Sequence, residues 1–341
     1  MRRWSIGVAV AAVAVLSIGL AVQAPTSAAL EAPSAGYGFS QYGGDVRLSQ
    51  QTLDRELDAV AKTNATWLRV VVDWFRVEPV EGLYDWSYID GVVNSARAHG
   101  LKVLMMVAFA PDWARAPGTS WSAPPQNAAD FGDFATAAVG RYGTRVSSWE
   151  IWNEPNSSDY FGSTGDAAAK YTDLLKAAYT AIKKVQPGAT IVSAGMSRTG
   201  EIPPATFLSQ MYASGAKGYF DATAMHPYVS PGGLDADSYG GWSAVGQMHG
   251  VMAAEGDGAK QIWMTELGAP TMPAPDGVTQ DEQAKQITDV LAAAAATGYS
   301  GPAFIFTIRD GDGMAADPEG NYGALLTNDW QPKVAARVLS R

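Results

Sequence analysis

Two glutamates each follow a short apolar segment and stand next to bulky aromatic side chains. Glu154 lies within Trp149–Asn156, and Glu266 lies within Ile262–Gly268. Cleavage of an acetal needs an acid that protonates the leaving oxygen and a second carboxylate on the other side of the anomeric carbon. When the two carboxyl groups are about 5–5.5 Å apart, the second acts as a nucleophile and the configuration is retained. The two segments therefore predict cleavage of a glycosidic bond by Glu154 and Glu266.

Three further polar residues are candidates to assist this pair. Arg69 lies inside the apolar segment Trp67–Val70, where a charge is rarely buried without a partner. Its sequence context alone indicates a salt bridge to an acid of the core. His226 and Tyr228 follow the apolar segment Ala222–Met225. A single histidine is more often structural than catalytic, so we assign His226 to substrate binding or to positioning, and Tyr228 to the same region.

The apolar segments that carry these residues repeat along the chain from Gly36 onward. Eight short runs bounded by Gly, Pro, Asp and Asn alternate with eight segments whose apolar residues recur at helical spacing. This alternation is typical of a single (β/α)8 barrel, which we predict. An open doubly wound sheet is the alternative, but no Gly-rich phosphate loop follows the first strand. The predicted strands are Tyr37–Phe39, Trp67–Val72, Leu101–Phe109, Val146–Trp152, Thr190–Ala194, Ala222–Met225, Gln261–Thr265 and Ala303–Thr307. The predicted helices are Leu53–Lys62, Ile89–His99, Phe131–Tyr142, Ala167–Val185, Phe207–Ser214, Trp242–Ala254, Glu282–Ala296 and Pro332–Leu339.

The barrel would place the candidate residues at one end of the fold. Chemistry in (β/α)8 barrels takes place at the C-terminal ends of the strands. Glu154 ends the fourth predicted strand and Glu266 the seventh, so the two would face each other across the barrel mouth. Aromatic faces can stack on the C–H faces of sugars. We therefore assign Trp113 and Trp152, which fall near predicted loops at this end, to substrate binding.

The composition excludes several other classes of site. The chain has no cysteine, which excludes disulfides, thiolate zinc sites, iron–sulfur clusters and cysteine nucleophiles. It has three histidines, 24 basic residues and 34 acidic residues, for a net charge of −10. Nucleic acid is therefore a poor partner, and a neutral carbohydrate suits the surface better. We expect no metal, no cofactor and a monomer.

The N-terminal segment has the pattern of an export signal. Arg2 and Arg3 precede an apolar stretch, Ile6–Val22, and small residues follow at Thr26–Ala29. We predict a signal peptide over residues 1–28 and a catalytic domain over residues 29–341. An uncleaved membrane anchor is the alternative, and the route of export, general or twin-arginine, stays open. The mature protein would be secreted or extracytoplasmic, without stable membrane insertion.

Several motifs together resemble the clan A (4/7 superfamily) retaining glycoside hydrolases. The resemblance rests on Asn153-Glu154-Pro155 after the fourth strand and on Glu266 at the tip of the seventh. The segments Pro79–Trp86, Trp149–Asn156, Tyr171–Ala181 and Asp329–Lys333 are most similar to family 39 and to cellulase-like (family 5-like) members. The resemblance extends over the whole predicted mature chain and implies the same barrel.

The resemblance also implies a role for individual residues. It makes Glu154 the acid/base, Glu266 the nucleophile and Asn153 a hydrogen-bond partner of the sugar 2-hydroxyl. It further implies that Arg69 orients Glu266 and keeps it ionised, and that Tyr228 donates a hydrogen bond to Glu266. Relatives often carry a tryptophan late in the eighth strand as a floor for the reactive sugar. This chain has Phe304-Ile305-Phe306 there, and we assign Phe306 to substrate binding.

Together these observations predict a secreted, retaining O-glycoside hydrolase of poly- or oligosaccharides. Loops of short to moderate length favour internal cleavage of the chain. A catalytically silent carbohydrate-binding barrel and a transglycosylase that uses the same residues are the alternatives. The sugar stays open among glucan, mannan, xylan, galactan and arabinan.

Overall fold

Eight parallel strands close into one barrel. The computed structural model describes residues 30–41, 47–162, 165–273, 275, 277–312 and 316–340, so the predicted signal peptide lies outside the described residues. The strands pair in chain order from β1 to β8, and β8 pairs back to β1. The predicted (β/α)8 barrel is therefore confirmed. The strands are β1 Tyr37–Ser40, β2 Trp67–Asp73, β3 Lys102–Ala108, β4 Ser148–Asn153, β5 Thr190–Ser197, β6 Ala222–His226, β7 Ile262–Leu267 and β8 Ser300–Phe306.

Helices lie between successive strands and cover the outside of the barrel. The helices are α1 Gln50–Val60, α2 Trp74–Val77, α3 Ser87–Ala98, α4 Ala128–Tyr142, α5 Ser158–Phe161, α6 Ala167–Val185, α7 Pro204–Ala213, α8 Gly233–Ala236, α9 Gly241–Ala254, α10 Gln280–Ala296 and α11 Val334–Leu339, with a 3-10 helix at Pro318–Asn321. The short helices α2, α5 and α8 were not predicted, because four residues are too few to show a helical periodicity. No helix in the described ranges is long and apolar enough to cross a membrane.

The inside of the barrel is filled in layers. Trp67, Trp263 and Phe304 form an aromatic layer, in which the ring centroids of Trp67 and Trp263 lie 5.6 Å apart. Side chains two residues further along a strand point to the same face. Arg69 and Thr265 therefore lie directly above this layer, and both are buried. The polar residues of the next layer therefore rest on a closely packed apolar layer.

The end of β4 departs from regular strand geometry. Trp152 and Glu154 have φ angles of 73° and 44°, which lie in the left-handed region that residues other than glycine rarely adopt. The strand alternation is thereby broken, and Trp152 turns away from the barrel mouth. Its indole contacts Phe131 of α4 and Phe161 of α5, and its N–H donates to the Tyr160 carbonyl at 2.9 Å.

Trp152 is fully buried between the barrel and its helices. The prediction that Trp152 stacks on a sugar is therefore corrected, and it is a core residue. The bend that buries Trp152 is the same one that directs the next two residues, Asn153 and Glu154, towards the mouth.

Tyr171 of helix α6 connects β4 and β5 near the point where β4 bends. The Tyr171 hydroxyl donates to the Ile151 carbonyl of β4 at 2.9 Å and accepts from the Ala194 N–H of β5 at 2.6 Å. These bonds satisfy buried backbone groups where the strand bends, and such groups are costly when left unpaired. They hold in place the strand end from which Glu154 projects.

Candidate active site

Glu154 and Glu266 meet at the mouth of the barrel. Each offers a carboxylate oxygen, His226 offers a ring nitrogen, and these three atoms all lie within 4.8 Å of one another. Inverting enzymes separate their carboxyl groups by about 6.5–9.5 Å to leave room for a water molecule. Carboxylate oxygens that approach within 4.8 Å are compatible with the separation of about 5–5.5 Å in retaining enzymes, and so with a nucleophile and an acid on either side of one anomeric carbon.

Arg69 connects Glu266 to the interior of the barrel. Its Nη1 donates to Glu266 Oε1 at 2.7 Å, and its Nε donates to Glu150 Oε2 at 2.5 Å. The same guanidinium donates to Asn153 Oδ1 at 2.9 Å and to the Ser40 hydroxyl at 3.2 Å. The sequence predicted a salt bridge from Arg69 to a core acid, and the family resemblance implied a contact with Glu266. Arg69 makes both contacts, to Glu150 and to Glu266.

The surroundings of Glu266 favour its ionised form. Burial alone would raise the pKa of Glu266, but the positive charges of His226 and Arg69 and a hydrogen bond from Tyr228 together lower it. The Tyr228 hydroxyl donates to Glu266 Oε2 at 2.8 Å. Burial and the adjacent Glu266 raise the pKa of Tyr228 well above its ordinary value, so the phenol keeps the proton that it donates.

The environment of Arg69 keeps its own charge fixed. Burial would lower the pKa of Arg69, but the two carboxylates Glu150 and Glu266 raise it further than burial lowers it. Glu150 is fully buried, and its second oxygen accepts the Gly195 N–H at 3.0 Å. The guanidinium is therefore a permanent cation at the base of the site.

His226 lies beneath the two carboxylates and contacts both. Its Nδ1 is 2.7 Å from Glu154 Oε1 and 3.7 Å from Glu266 Oε2, and its Nε2 is 3.1 Å from the Thr265 hydroxyl. Burial lowers the pKa of His226, but Glu266 and Glu154 raise it above its ordinary value. Because the ring is fully buried, direct contact with substrate is corrected to a positioning role on Glu154.

A cavity of about 950 Å³ opens above these groups. Several predicted site residues line it, namely Arg69, Asn153, Glu154, Tyr228, Glu266 and Phe306. Because Asn153 Oδ1 accepts from Arg69, its amide is held in one orientation and its NH₂ group is left as a donor for a ligand. The structure thus brings these six predicted site residues together at one cavity.

Trp113 does not lie among the residues that line this cavity. Its indole N–H donates to the Glu78 carbonyl at 2.9 Å, and its ring packs edge-on against Trp74 with centroids 5.5 Å apart. The assignment of Trp113 to sugar stacking is therefore corrected, since it holds the loops after β2 and β3 together.

Other residues of the cavity had no motif that could identify them. Trp121 lies in the loop after β3, 54% exposed, with its ring centroid 5.0 Å from that of Phe109. The sequence indicates that Trp121 is near a loop, but nothing in its neighbours distinguishes it from Trp113. The remaining lining residues that were not assigned include Tyr160, Arg198, Glu319 and Tyr322.

Glu154, His226 and Glu266 are close enough together to share a metal ion. However, Arg69 and Tyr228 already donate to both oxygens of Glu266, and His226 Nδ1 already contacts Glu154. A metal ion would have to compete with the guanidinium charge for the same carboxylate. The donor set is better suited to a sugar between the two carboxylates.

Family comparisons agree with this geometry. Residues 42–211 match the glycosyl hydrolases family 39, and residues 127–329, which are 203 of the 341 residues, match the glycosyl hydrolase catalytic core. A β-xylosidase from Caldicellulosiruptor saccharolyticus is 32% identical over 121 residues, which cover 31% of this chain and 24% of that protein. The chain thus spans about a quarter of the length of this relative.

Similar solved structures share the barrel. A family 39 glycoside hydrolase from Bacteroides cellulosilyticus WH2 has a TM-score of 0.70 at 24% identity, covering 91% of this chain and 64% of its own. A family 39 β-xylosidase from Caulobacter crescentus has a TM-score of 0.68 at 20% identity, covering 92% and 72%. A family 5 (GH5_18) protein from Streptomyces cattleya has a TM-score of 0.64 at 18% identity, covering 91% and 79%. At these identities the likeness establishes the fold.

Replacing Arg69 should destabilise the whole protein. We expect Arg69→Met to lower the free energy of unfolding by about 3–5 kcal/mol, because it leaves the buried Glu150 without a cation. The double variant Arg69→Met/Glu150→Gln should recover part of the loss. Denaturant unfolding followed by circular dichroism measures both.

A surface ion pair supplies the control for this comparison. Lys285 pairs with Asp289 on α10, and the Lys285 side chain is 68% exposed. Lys285→Met should change the free energy of unfolding by less than about 1 kcal/mol. If Arg69→Met is as mild as this control, the buried ion pair does not support the barrel.

Proposed function

We propose a reaction for this chain on the basis that it belongs to the glycosyl hydrolase catalytic core family. The chain is a retaining glycosidase that hydrolyses O-glycosidic bonds by double displacement. The observation that carries the proposal is the pair of carboxylates within 4.8 Å, of which Glu266 is held ionised by a buried guanidinium and a phenol.

In the first step Glu266 is the nucleophile and Glu154 the acid. A carboxylate oxygen of Glu266 attacks the anomeric carbon while the bond from that carbon to the leaving oxygen breaks. Glu154 transfers its proton to the leaving oxygen. Arg69 and Tyr228 fix the orientation of Glu266 for this attack, and His226 fixes that of Glu154.

In the second step the roles reverse around a water molecule. Glu154, now a carboxylate, removes a proton from water, and the water oxygen attacks the anomeric carbon of the glycosyl-enzyme. Glu266 leaves as a carboxylate. Two displacements at the same carbon retain the anomeric configuration, so proton NMR in the first minutes of reaction should show product of the same configuration as the substrate.

We propose a β-xyloside or a closely related β-linked sugar as the substrate. The β-xylosidase from Caldicellulosiruptor saccharolyticus supports this choice through its sequence similarity. The donor NH₂ group of Asn153, held by Arg69, would bind the hydroxyl next to the anomeric carbon. Phe306 lines the cavity and would face the same sugar ring.

We further propose that the protein is exported and that residues 1–28 are removed. The arginine pair, the apolar stretch and the small residues before residue 29 support this proposal. The mass of the protein recovered outside the cytoplasm tests it, since a chain that retains residues 1–28 would contradict it.

Alanine variants should separate the roles of the two glutamates. Glu266→Ala removes the nucleophile and should lower turnover by roughly 10⁴-fold or more, with partial recovery on adding azide.

Glu154→Ala should impair substrates with poor leaving groups most, whereas activated aryl glycosides should still give a burst as the glycosyl-enzyme accumulates. Near-normal turnover in Glu266→Ala, or equal losses on both kinds of substrate without a burst in Glu154→Ala, would reject the mechanism.

The pH profile should report the hydrogen bond from Tyr228. Tyr228→Phe removes one of the interactions that lower the pKa of Glu266, so that pKa should rise. Because Glu266 must be ionised to attack, the acidic limb of kcat/KM should move to higher pH by about one unit.

Tyr322→Phe is the matched control for Tyr228→Phe. Tyr322 packs against Tyr228 with ring centroids 5.6 Å apart, but no bond joins its hydroxyl to Glu266 within the described residues. Its acidic limb should stay in place. A shift of equal size in both variants would mean that the hydrogen bond does not set the pKa of Glu266.

We also propose internal cleavage of a polysaccharide. The cavity of about 950 Å³ is at the upper end of the range for small-molecule sites, and the exposed Trp121 offers a further stacking face. With a soluble β-linked polysaccharide, viscosity should fall while few reducing ends appear. Release of single sugars at unchanged viscosity would instead establish attack at chain ends.

A further inference from the structure

Arg198 is a cationic group of the cavity that the reaction does not use. It follows β5 directly and lines the cavity together with Tyr228 and Tyr322. Among the described residues, the two buried arginines are both paired with acids. Arg69 contacts Glu150 and Glu266, and Arg309 contacts Glu56 and Asp312.

Arg198 has no such partner among the described residues. Its one hydrogen bond runs from Nη2 to the Ser230 carbonyl at 3.3 Å, and its buried Nη1 has no acceptor. Burial lowers the pKa of Arg198, and the phenols of Tyr322, Tyr228 and Tyr239 together with Asp237 offset this only in part. Arg198 is half-buried, and a cation that is partly withdrawn from water without an ion-pair partner is destabilised, so a ligand that carries a negative charge would stabilise it.

The surrounding residues hold the guanidinium in place and offset its charge only in part. Its Cζ lies 4.5 Å from the centroid of the Tyr239 ring, a cation–π contact. Asp237 is the acid on this side, but its oxygens accept the N–H groups of Trp242 and Ser243 and the Ser243 hydroxyl. Asp237 is therefore committed to the start of α9.

The acids on the adjacent wall compete only weakly with a ligand for Arg198. Glu201 is bonded to the N–H and the hydroxyl of Ser158. Asp159 lines the cavity but is exposed, so water and salt screen its charge. Neither carboxylate forms an ion pair with Arg198.

In the proposed reaction the leaving group lies on the Glu154 side of the cavity, and the loop of Arg198 is next to it. The leaving oxygen takes its proton from Glu154, so the sugar beyond that oxygen must extend along the loops next to the end of β4. The loop that carries Arg198 is fastened to the β4 loop, because Asn156 Nδ2 donates to the Ser197 carbonyl at 2.7 Å and Asn156 Oδ1 accepts the Ser197 N–H at 2.9 Å. The two loops therefore form one wall.

We propose that Arg198 binds a carboxylate on the leaving sugar, so that the preferred substrate has a uronic acid on the reducing side of the cleaved bond. This inference rests on the proposed glycosidase function and names its substrate class. A guanidinium presents a planar fork of donors that matches a carboxylate. A hydrogen bond that involves a charged group corresponds to about 10- to 100-fold in affinity.

Two disaccharides that differ in one group test the proposal. β-Xylosyl-glucuronic acid and β-xylosyl-glucose, joined through the same hydroxyl, differ by a carboxylate against a hydroxymethyl group. Calorimetric binding to the inactive variant Glu154→Gln at pH 7 should favour the acidic disaccharide by about 10- to 100-fold. Adding Arg198→Gln should reduce that preference to about twofold or less, whereas Arg198→Lys, which keeps the charge without the fork, should retain part of it.

Arg76→Gln is the matched control. Arg76 lines the same cavity and pairs with Asp73, so this variant removes one positive charge without touching the proposed carboxylate site and should keep the preference. Equal binding of the two disaccharides, or a preference that survives Arg198→Gln, would overturn the proposal. Because affinity is measured in an inactive variant, this outcome is distinct from failure of the glycosidase function, which shows as absence of aryl glycoside hydrolysis by the wild-type protein.

Discussion

The contacts of the Arg69 guanidinium connect four strands at the base of the site. It projects from β2 and reaches Ser40 of β1, Glu150 and Asn153 of β4, and Glu266 of β7. With Arg69 only 1% exposed, the cation needs this full set of oxygens, because a buried charge without partners is strongly destabilising. The hydrogen bonds that compensate the charge of Arg69 also fix the distance from Glu266 to β4. One set of contacts therefore both stabilises the buried cation and sets the geometry of the site.

The two carboxylates at the mouth have different hydrogen-bond partners. Glu266 receives a permanent cation and a phenol, and both favour its ionised form. Glu154 contacts a buried imidazole, and its backbone N–H donates to the Gly195 carbonyl at 2.9 Å. The aromatic layer of Trp67, Trp263 and Phe304 packs below the two carboxylates.

The strands and the loops contribute different kinds of residue. Strand ends supply Glu154 and Glu266, which are held by contacts across the barrel. The loops supply the walls, among them Trp121 after β3, Tyr160 after β4 and Arg198 after β5. Loops tolerate change better than the strands that they connect. Such a division allows the selectivity of the cavity to vary while the groups at its base stay in place.

The sequence by itself determined the barrel and the two glutamates. Its alternation of apolar runs and helical segments reflects burial of a parallel sheet on both faces, which is a local signal. The motifs around Glu154 and Glu266, and the charge of Arg69 within an apolar strand, were also visible in short segments. Each of these signals spans only a few neighbouring residues, which is why they could be recognised before the fold was known.

Only the tertiary structure decided which side chains reach the cavity. Trp152 and Trp113 looked like sugar-stacking residues, but a left-handed residue at the end of β4 turned the first into the core, and packing against Trp74 withdrew the second. His226 proved to lie under Glu154, out of reach of a ligand. Whether Arg198 has an acid partner depends on which acids of distant segments lie near it, and no acid of the described residues forms an ion pair with it. Direction, burial and pairing arise from contacts between residues far apart in the chain, and a local pattern carries no information about them.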